Sequence, residues 1–268
     1  MGGREGPTQR RSQSEGLESP AGGLSRPALR SPPVKAYIDL HCHTSASFDC
    51  LASPESVVRA AARRGLTHLA ITDHDTIAGA LRGRAAAPDG LTVIVGEEVK
   101  TADGDLIALF LAEAVPPGRP ARETIAAVRA QGGLVGIPHP FDRHRGSMLK
   151  DPRLEAIGRL VDWVEAYNAR VVGGDGNARA ADFARELGLP GVAASDAHSV
   201  LEVGVAYNAL DGDPGTPEGL LSALRTVEIV PGRASYLVRT LTPISKLVNR
   251  ARGNTRVPWP PAAPRDGS

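Results

Sequence analysis

Two short runs in the sequence end in side chains that bind cations or move protons. Asp39-Leu40-His41-Cys42-His43-Thr44 continues the apolar run Ala36-Tyr37-Ile38, and Thr72-Asp73-His74-Asp75 continues the β-branched and apolar run 67–71. On an extended strand residues i and i+2 share a face, so His41 and His43 can hold one cation between them. Imidazole and carboxylate are ligands for hard and borderline divalent metals. A His-x-His pair alone is equally well a pair of ordinary histidines. It gains weight because the pattern recurs. The apolar run 91–95 ends in Gly96-Glu97-Glu98, 134–137 ends in Pro138-His139-Pro140, 161–164 leads to Glu165, Tyr167 and Asn168, and 192–194 leads to Ser195-Asp196-Ala197-His198. Acidic and imidazole groups at successive strand ends are the arrangement of parallel α/β folds, whose sites lie at the carboxyl ends of the strands.

Strands that deliver such residues need helices between them. Ser53-Pro54-Glu55 reads as an N-cap followed by proline at the first helical position, and the helix 54–64 stops at Gly65. Further helices are expected after Asp75-Thr76 and over 120–130, 177–187 and 216–225. Strands are expected at 91–95, at 106–111 after an Asp103-Gly104 hairpin turn, and at 134–137, 161–166 and 191–195. The alternation predicts one parallel, barrel-like α/β domain over 34–251. Residues 1–33 are rich in Gly, Ser, Pro, Arg and Glu without a hydrophobic period and read as disordered, and the Pro- and Arg-rich stretch 252–268 reads as a mobile tail.

Composition narrows the function classes. With 268 residues and a formal net charge of +1, charge favours neither a nucleic-acid scaffold nor a membrane surface. The two cysteines, Cys42 and Cys50, are too few for a disulfide framework. Cys42 alternates with the histidines and should point away from them as a small buried residue. No apolar stretch reaches the roughly 18 residues a bilayer span requires. Without an apolar signal core, Arg10-Arg11 is not an export signal, so a cytoplasmic protein with no membrane contact is expected. No Ser-His-Asp order and no Gly-rich phosphate loop is visible, which disfavours covalent serine chemistry and nucleotide-dependent transfer. His68 begins its strand, far from the polar strand ends, and reads as structural.

Taken in order, Asp39-Leu40-His41-Cys42-His43-Thr44, Thr72-Asp73-His74-Asp75, Gly96-Glu97-Glu98, Pro138-His139-Pro140 and Ser195-Asp196-Ala197-His198 resemble the PHP (polymerase and histidinol phosphatase) family over about residues 36–235, and most closely its stand-alone phosphoesterases of the TrpH type. The resemblance implies an α/β fold, a distorted (β/α)7 barrel of the PHP type, a trinuclear metal cluster at its carboxyl end, and hydrolysis of a phosphate ester. Carried across, His41 and His43 bind a first metal with Asp196 and Glu98. Glu98 bridges to a second metal held by His139, and Asp49, His74 and His198 hold a third. The family's glutamate follows glycine after one intervening residue, which favours Glu98 over Glu97, and strand alternation lets only one of the two face the site. Asp105 stands where some members carry a histidine ligand, and is read as a solvated turn residue.

The cofactors expected are two to three divalent ions per chain, Mn, Fe or Zn, because the ligand set admits all of them. Such ions activate water and neutralise phosphate charge. Arg143, in the loop after His139, suits bidentate phosphate binding, while His144 and Lys100 are read as solvated. Asn168 is open between contacting substrate, steadying a ligand and capping a loop. The expected substrate is a small phosphate ester, a nucleotide or a nucleic-acid end, with no obligate protein partner inferred. A chain of this length leaves no room for an appended polymerase domain, which turns the expectation away from an editing role. The alternatives are a histidinol-phosphate-type phosphomonoesterase and a non-catalytic metal-binding interaction module. An amidohydrolase also places His-x-His at a barrel strand end, but it expects a lysine bridge and fits Asp196-Ala197-His198 poorly.

Overall fold

A computed structural model describes residues 1–3, 35–142, 153–235 and 241–255. The chain divides between Pro32 and Pro33, and the fold below is that of the second unit. The expectations for residues 1–33, for the loop with Arg143 and His144, and for most of 252–268 lie outside the described residues.

The elements run β1 (Lys35–Asp39), α1 (Pro54–Arg63), β2 (His68–Ile71), α2 (Ala78–Ala85), β3 (Thr92–Lys100), β4 (Asp105–Leu109), α3 (Ala121–Ala130), β5 (Leu134–Ile137), α4 (Arg153–Gly158), β6 (Trp163–Asn168), α5 (Gly176–Leu187), β7 (Gly191–Ala194), β8 (Tyr207–Asp211), α6 (Pro217–Ala223), β9 (Glu228–Val230) and α7 (Leu241–Ala251). A single 3₁₀ turn, Leu224–Thr226, extends α6. The start of α1 follows local chemistry: the Ser53 hydroxyl accepts the Ser56 amide, and Pro54 occupies the first turn. The end of α7 does so too. Gly253 adopts φ 77°, Asn254 N–H reaches Asn249 O at 2.9 Å and Gly253 N–H reaches Arg250 O at 3.1 Å, a Schellman ending.

The strands form one sheet in the order β7-β6-β5-β4-β3-β2-β1-β8-β9. β1, β2 and β3 are mutually parallel, as are β5, β6 and β7. The expected α/β barrel is therefore present, with two departures. β4 returns through a hairpin and runs antiparallel to β3 and β5. β8 runs antiparallel to β1 and to β9, extending the sheet to nine strands. α4 and α7 are not among the helices expected from the sequence.

β7, at one end of the sheet, is brought against β1 and β8, so that the barrel closes short of the sheet's other end. Asn208 on β8 accepts the Ala193 amide at 2.7 Å and donates to the carbonyls of Ala193 at 2.7 Å and Ile38 at 3.3 Å. Beyond the strands, Asp196 N–H donates to His41 O and His43 N–H to Ala197 O, each at 2.9 Å. The Asp39 carboxylate adds bonds from Ser195 N–H at 3.1 Å and Gly204 N–H at 3.2 Å.

Alternation sorts the apolar residues into two layers. Ala36, Ile38, Leu40, Ile94, Ile107, Leu109, Trp163 and Val192 fill the barrel. Leu69, Ile71, Val93 and Val95 face outward under the helices, where Val57, Val58, Ile125 and Val128 cover them. Cys42 lies in this outer layer, on the face away from the histidines, as its position predicts. Space for Trp163 comes from Gly136, where a Cβ atom would enter the indole ring. Gly136→Ala should therefore destabilise the fold by about 1–3 kcal/mol through overpacking. Urea unfolding of the variant checks this, and an unchanged midpoint would show that the ring can step aside.

Candidate metal centre

The ligand-type side chains converge where the strands end. β1 leads into His41 and His43, β2 into His74, β3 carries Glu98, β5 leads into His139, and β7 leads into Asp196 and His198. Asp49 comes from the loop between β1 and α1. Reaching one point from a barrel wall requires bent backbone. The inward alternation Ala36, Ile38, Leu40 breaks at Leu40–His41, so that His41 and His43 face inward in their turn. His139 and Asp196 sit at positive φ, 26° and 51°. Such a conformation costs a non-glycine residue on the order of 1–3 kcal/mol and persists where the surroundings hold it.

Among the described residues, two groups of side chains have donor atoms clustered closely enough to hold an ion: His41, His43 and Asp196, and His43, Asp49, His74 and His198. His43 belongs to both. Its Nε2 lies 3.5 Å from Asp196 Oδ1 and 3.5 Å from Glu98 Oε2. His74 Nδ1 lies 2.9 Å from Glu98 Oε2, and His74 Nε2 and His198 Nε2 lie 3.4 and 3.2 Å from Asp49 Oδ2. His139 Nε2 meets the other Glu98 oxygen at 3.5 Å. Glu98 thus touches imidazoles of both groups and His139 besides, as a bridging carboxylate must.

The hydrogen bonds behind the rings fix which nitrogen each offers. Ser47 Oγ donates to Asp73 Oδ1 at 2.7 Å, so it accepts from His43 Nδ1 at 3.1 Å and leaves His43 Nε2 as a lone pair. His198 Nδ1 lies 2.9 Å from the Asp196 carbonyl, which only accepts, so its Nε2 is free to bind toward Asp49. His41 Nδ1 lies 2.6 Å from Glu165 Oε1, directing its Nε2 inward. Backing of this kind, a carboxylate or carbonyl on the far ring nitrogen, is how metal-binding histidines are oriented. His41 Nε2 and His43 Nε2 then face each other at 2.9 Å. Two lone pairs that close repel unless a cation, a proton or a metal ion, lies between them.

The charge balance asks for the same thing. Asp49, Glu98, Glu165 and Asp196 are all buried within this site. Burial pushes the carboxyls of Asp49 and Glu98 upward, but the neighbouring imidazoles outweigh it and hold both well below the usual range: His198 and His74 at Asp49, and His74 and His41 at Glu98. Burial opposes the charged form of His74, yet Glu98 and Asp49 raise it to about 10. At His41 the carboxylates of Glu165, Asp196 and Glu98 likewise overcome burial. At His43 burial, reinforced by His198 and His74, keeps the ring neutral. A nest of buried carboxylates around a neutral imidazole stabilises cations, whether protons or metal ions. Asp49 Oδ1 makes no hydrogen bond among the described residues. The donor set therefore fits divalent metal ions.

Every expected ligand within the described residues comes to this point: His41, His43, Asp49, His74, Glu98, His139, Asp196 and His198. Glu97 points the other way and accepts the Val115 amide at 2.9 Å. Arg143, expected to bind phosphate, lies outside the described residues. Asp105 needs correction. It is not a solvated turn residue but a buried member of β4, opposite Lys100 in the β3–β4 ladder, with Lys100 Nζ 3.7 Å from its Oδ1. Asn168 donates from Nδ2 to Asp196 Oδ2 and Glu165 Oε2, each at 3.0 Å, and so steadies both carboxylates. His68 lies at the opposite end of β2, against Asp213 at 3.1 Å.

Glu165 is the residue whose role the sequence did not yield. It stood at a polar strand end, but only the fold shows it behind His41 and under the His139 amide, 3.0 Å away. Glu165→Gln should weaken metal binding about 10–100-fold, the usual cost of losing such a backing carboxylate. Metal titration of the stripped variant measures this, and wild-type affinity would reduce Glu165 to packing.

Comparison with known proteins places the fold among known ones. The family model for the PHP domain matches residues 39–146, and the one described as PHP-associated matches residues 174–228. An uncharacterized protein of Methanocaldococcus jannaschii is 31% identical over 211 residues, covering 75% of this chain and 84% of that protein. Among solved structures, a two-domain protein from Bacteroides vulgatus, described as containing a predicted PHP-like metal-dependent phosphoesterase, superposes with a TM-score of 0.64 at 19% identity, covering 75% of this chain and 66% of that one. A lesion-specific endonuclease from Pyrococcus furiosus superposes with a TM-score of 0.55 at 17% identity, covering 73% and 58%. The fold is the barrel of these PHP-like structures. The chain belongs to the PHP family.

Proposed function

We propose that this protein is an enzyme, a metal-dependent phosphoric ester hydrolase with two to three divalent ions at one site. Its substrate is a small phosphate ester, a nucleotide or a nucleic-acid end. The observation that carries the reading is the pair of ligand groups sharing His43, with Glu98 in contact with both. Adjacent divalent ions polarise a phosphoryl group, lower the pKa of water and neutralise charge as the ester bond breaks.

The chain's own residues do the rest. Glu165, Ser47 with Asp73, and the Asp196 carbonyl hold the rings of His41, His43 and His198 in the binding tautomer. Asn168 fixes the Asp196 carboxylate. The side chains of His74, His198 and Asp49 are 9%, 6% and 6% exposed, against 0% for His41, His43 and Asp196, so substrate meets the site from the His74 side. No helix among the described residues is long and apolar enough to cross a membrane, and a cytoplasmic location belongs to the same proposal.

Hydrolysis of a panel of phosphomonoesters and phosphodiesters, each with Mn, Fe and Zn, tests the activity. No turnover under any metal would hand the reading to the non-catalytic module. Arg143 completes the proposal as the phosphate-binding cation, because its guanidinium fork matches phosphate oxygens. Arg143→Ala should lower kcat/KM about tenfold to a hundredfold with metal content unchanged, the loss of one charge-assisted contact. Arg143→Lys should restore part of it, and wild-type efficiency in the alanine variant would remove Arg143 from the site.

A further inference from the structure

The supports behind the ligands fall into two sets. His41, Asp196 and His139 are held from within the barrel, by Glu165 and Asn168 on β6. Asp49, His74 and His198 all connect instead to α7. Asn249 is 3% exposed, and its Nδ2 donates to the carbonyls of Ser47 at 3.2 Å and Cys50 at 3.0 Å, the two ends of the short segment that carries Asp49. Asn254, in the Schellman ending, adds a bond to Ser47 O at 3.4 Å. At the first turn of α7, Thr242 Oγ accepts from Arg170 Nη2 at 2.7 Å. Arg170 Nη1 holds Glu202 at 3.0 Å, and Glu202 accepts the backbone amide of His198 at 3.1 Å. Midway along the helix, Lys246 Nζ lies 5.4 Å from the centre of the Phe48 ring, which packs on the His74 ring at 4.9 Å.

From this convergence we infer that α7 is the positioning element for the outer ion position, formed by Asp49, His74 and His198 with His43. The inner position, at His41, His43 and Asp196, meets α7 through Ser47, whose hydroxyl backs the shared His43, while His43 is also held by its own amide bond to Ala197 and His41 and Asp196 by β6. The inference rests on the metal-centre reading above. Asp49 is the sensitive link. It lies on a loop rather than a strand, and a ligand is useful only if its geometry is held before the ion arrives. With α7 docked the outer group is complete. With its ties cut, the protein should keep the inner position and lose the outer one.

The test is metal stoichiometry and affinity. Stripped full-length protein is titrated with Mn²⁺, followed by electron paramagnetic resonance and elemental analysis, for wild type, Asn249→Ala and His74→Ala. Asn249→Ala should bind one ion about 10–100-fold more weakly, matching the class of ion that His74→Ala loses, with the remaining affinity unchanged. Circular dichroism shows that the variant is folded. Should Asn249→Ala not fold, Thr242→Val, which breaks the other tie, is held to the same result. Wild-type stoichiometry and affinity in the variant that folds would overturn the inference, as would loss of all ions together. If wild type itself binds no ion, the metal-centre reading falls and takes this inference with it, so the two failures are told apart.

Discussion

His41→Ala and Asp196→Ala are each expected to lower phosphate-ester turnover by at least about a thousandfold, a barrier increase of about 4 kcal/mol. Both residues belong to the inner group, and His41 Nε2 lies 3.8 Å from Asp196 Oδ1. Losing either leaves an incomplete shell that neither holds an ion firmly nor fixes what it activates. Rate, metal content and far-ultraviolet circular dichroism should be measured together, because the expected result is a folded protein depleted in metal. His68→Ala is the control. That ring sits at the other end of β2 against Asp213, and its loss should leave turnover intact. Normal activity in His41→Ala would place the chemistry elsewhere in the molecule.

The second large effect is on stability. Ions bound only by the folded state stabilise it by about 2.7–4.1 kcal/mol each at 100–1,000 times Kd. For a chain of this size, roughly 2–4 °C per kcal/mol, chelation should lower Tm by about 5–15 °C per ion lost. The physical cause is the burial of Asp49, Glu98, Glu165 and Asp196 around one point, where a bound cation offsets their desolvation. The sign with pH follows. Metal uptake displaces protons from the ligands, so it releases acid and weakens as pH falls. Melting curves with and without EDTA at two pH values check both parts. Identical curves would mean that no ion contributes to the folded state.

Most of the centre was legible because its grammar is local. An apolar run ending in His, Asp or Glu marks a strand end, and alternation separates Glu98 from Glu97 and His41 from Cys42 without any knowledge of the fold. What stayed hidden depends on distant pairing. Tyr207–Asp211 carries no strong strand signal of its own, and its partner β1 lies far away in sequence. Asp105 follows Asp103-Gly104 and so reads as part of the turn, although the β3–β4 ladder continues to Lys100 and buries it. Glu165, Asn168 and Asn249 are polar residues whose roles are defined only by what lies across the barrel or on the C-terminal helix. Such residues look ordinary in sequence because nothing near them in the chain announces the partner.

The joint between β7 and β1 has a consequence for how the barrel is built and unbuilt. There the wall is closed by side chains, Asn208 and Asp39, and by a few amide bonds beyond the strands, between residues such as Asp39 and Ser195, 156 positions apart. His41 and His43 stand on one bank of this joint, and Asp196 and His198 on the other. A cation shared by them would act as a rivet, a reversible cross-link that closes the barrel from β1 round to β7. Closing so long a loop costs entropy that no local contact repays. In amide hydrogen exchange, removal of the rivet should open the molecule along this joint first, loosening 193–198 and 39–43 while β2 and β3 stay protected.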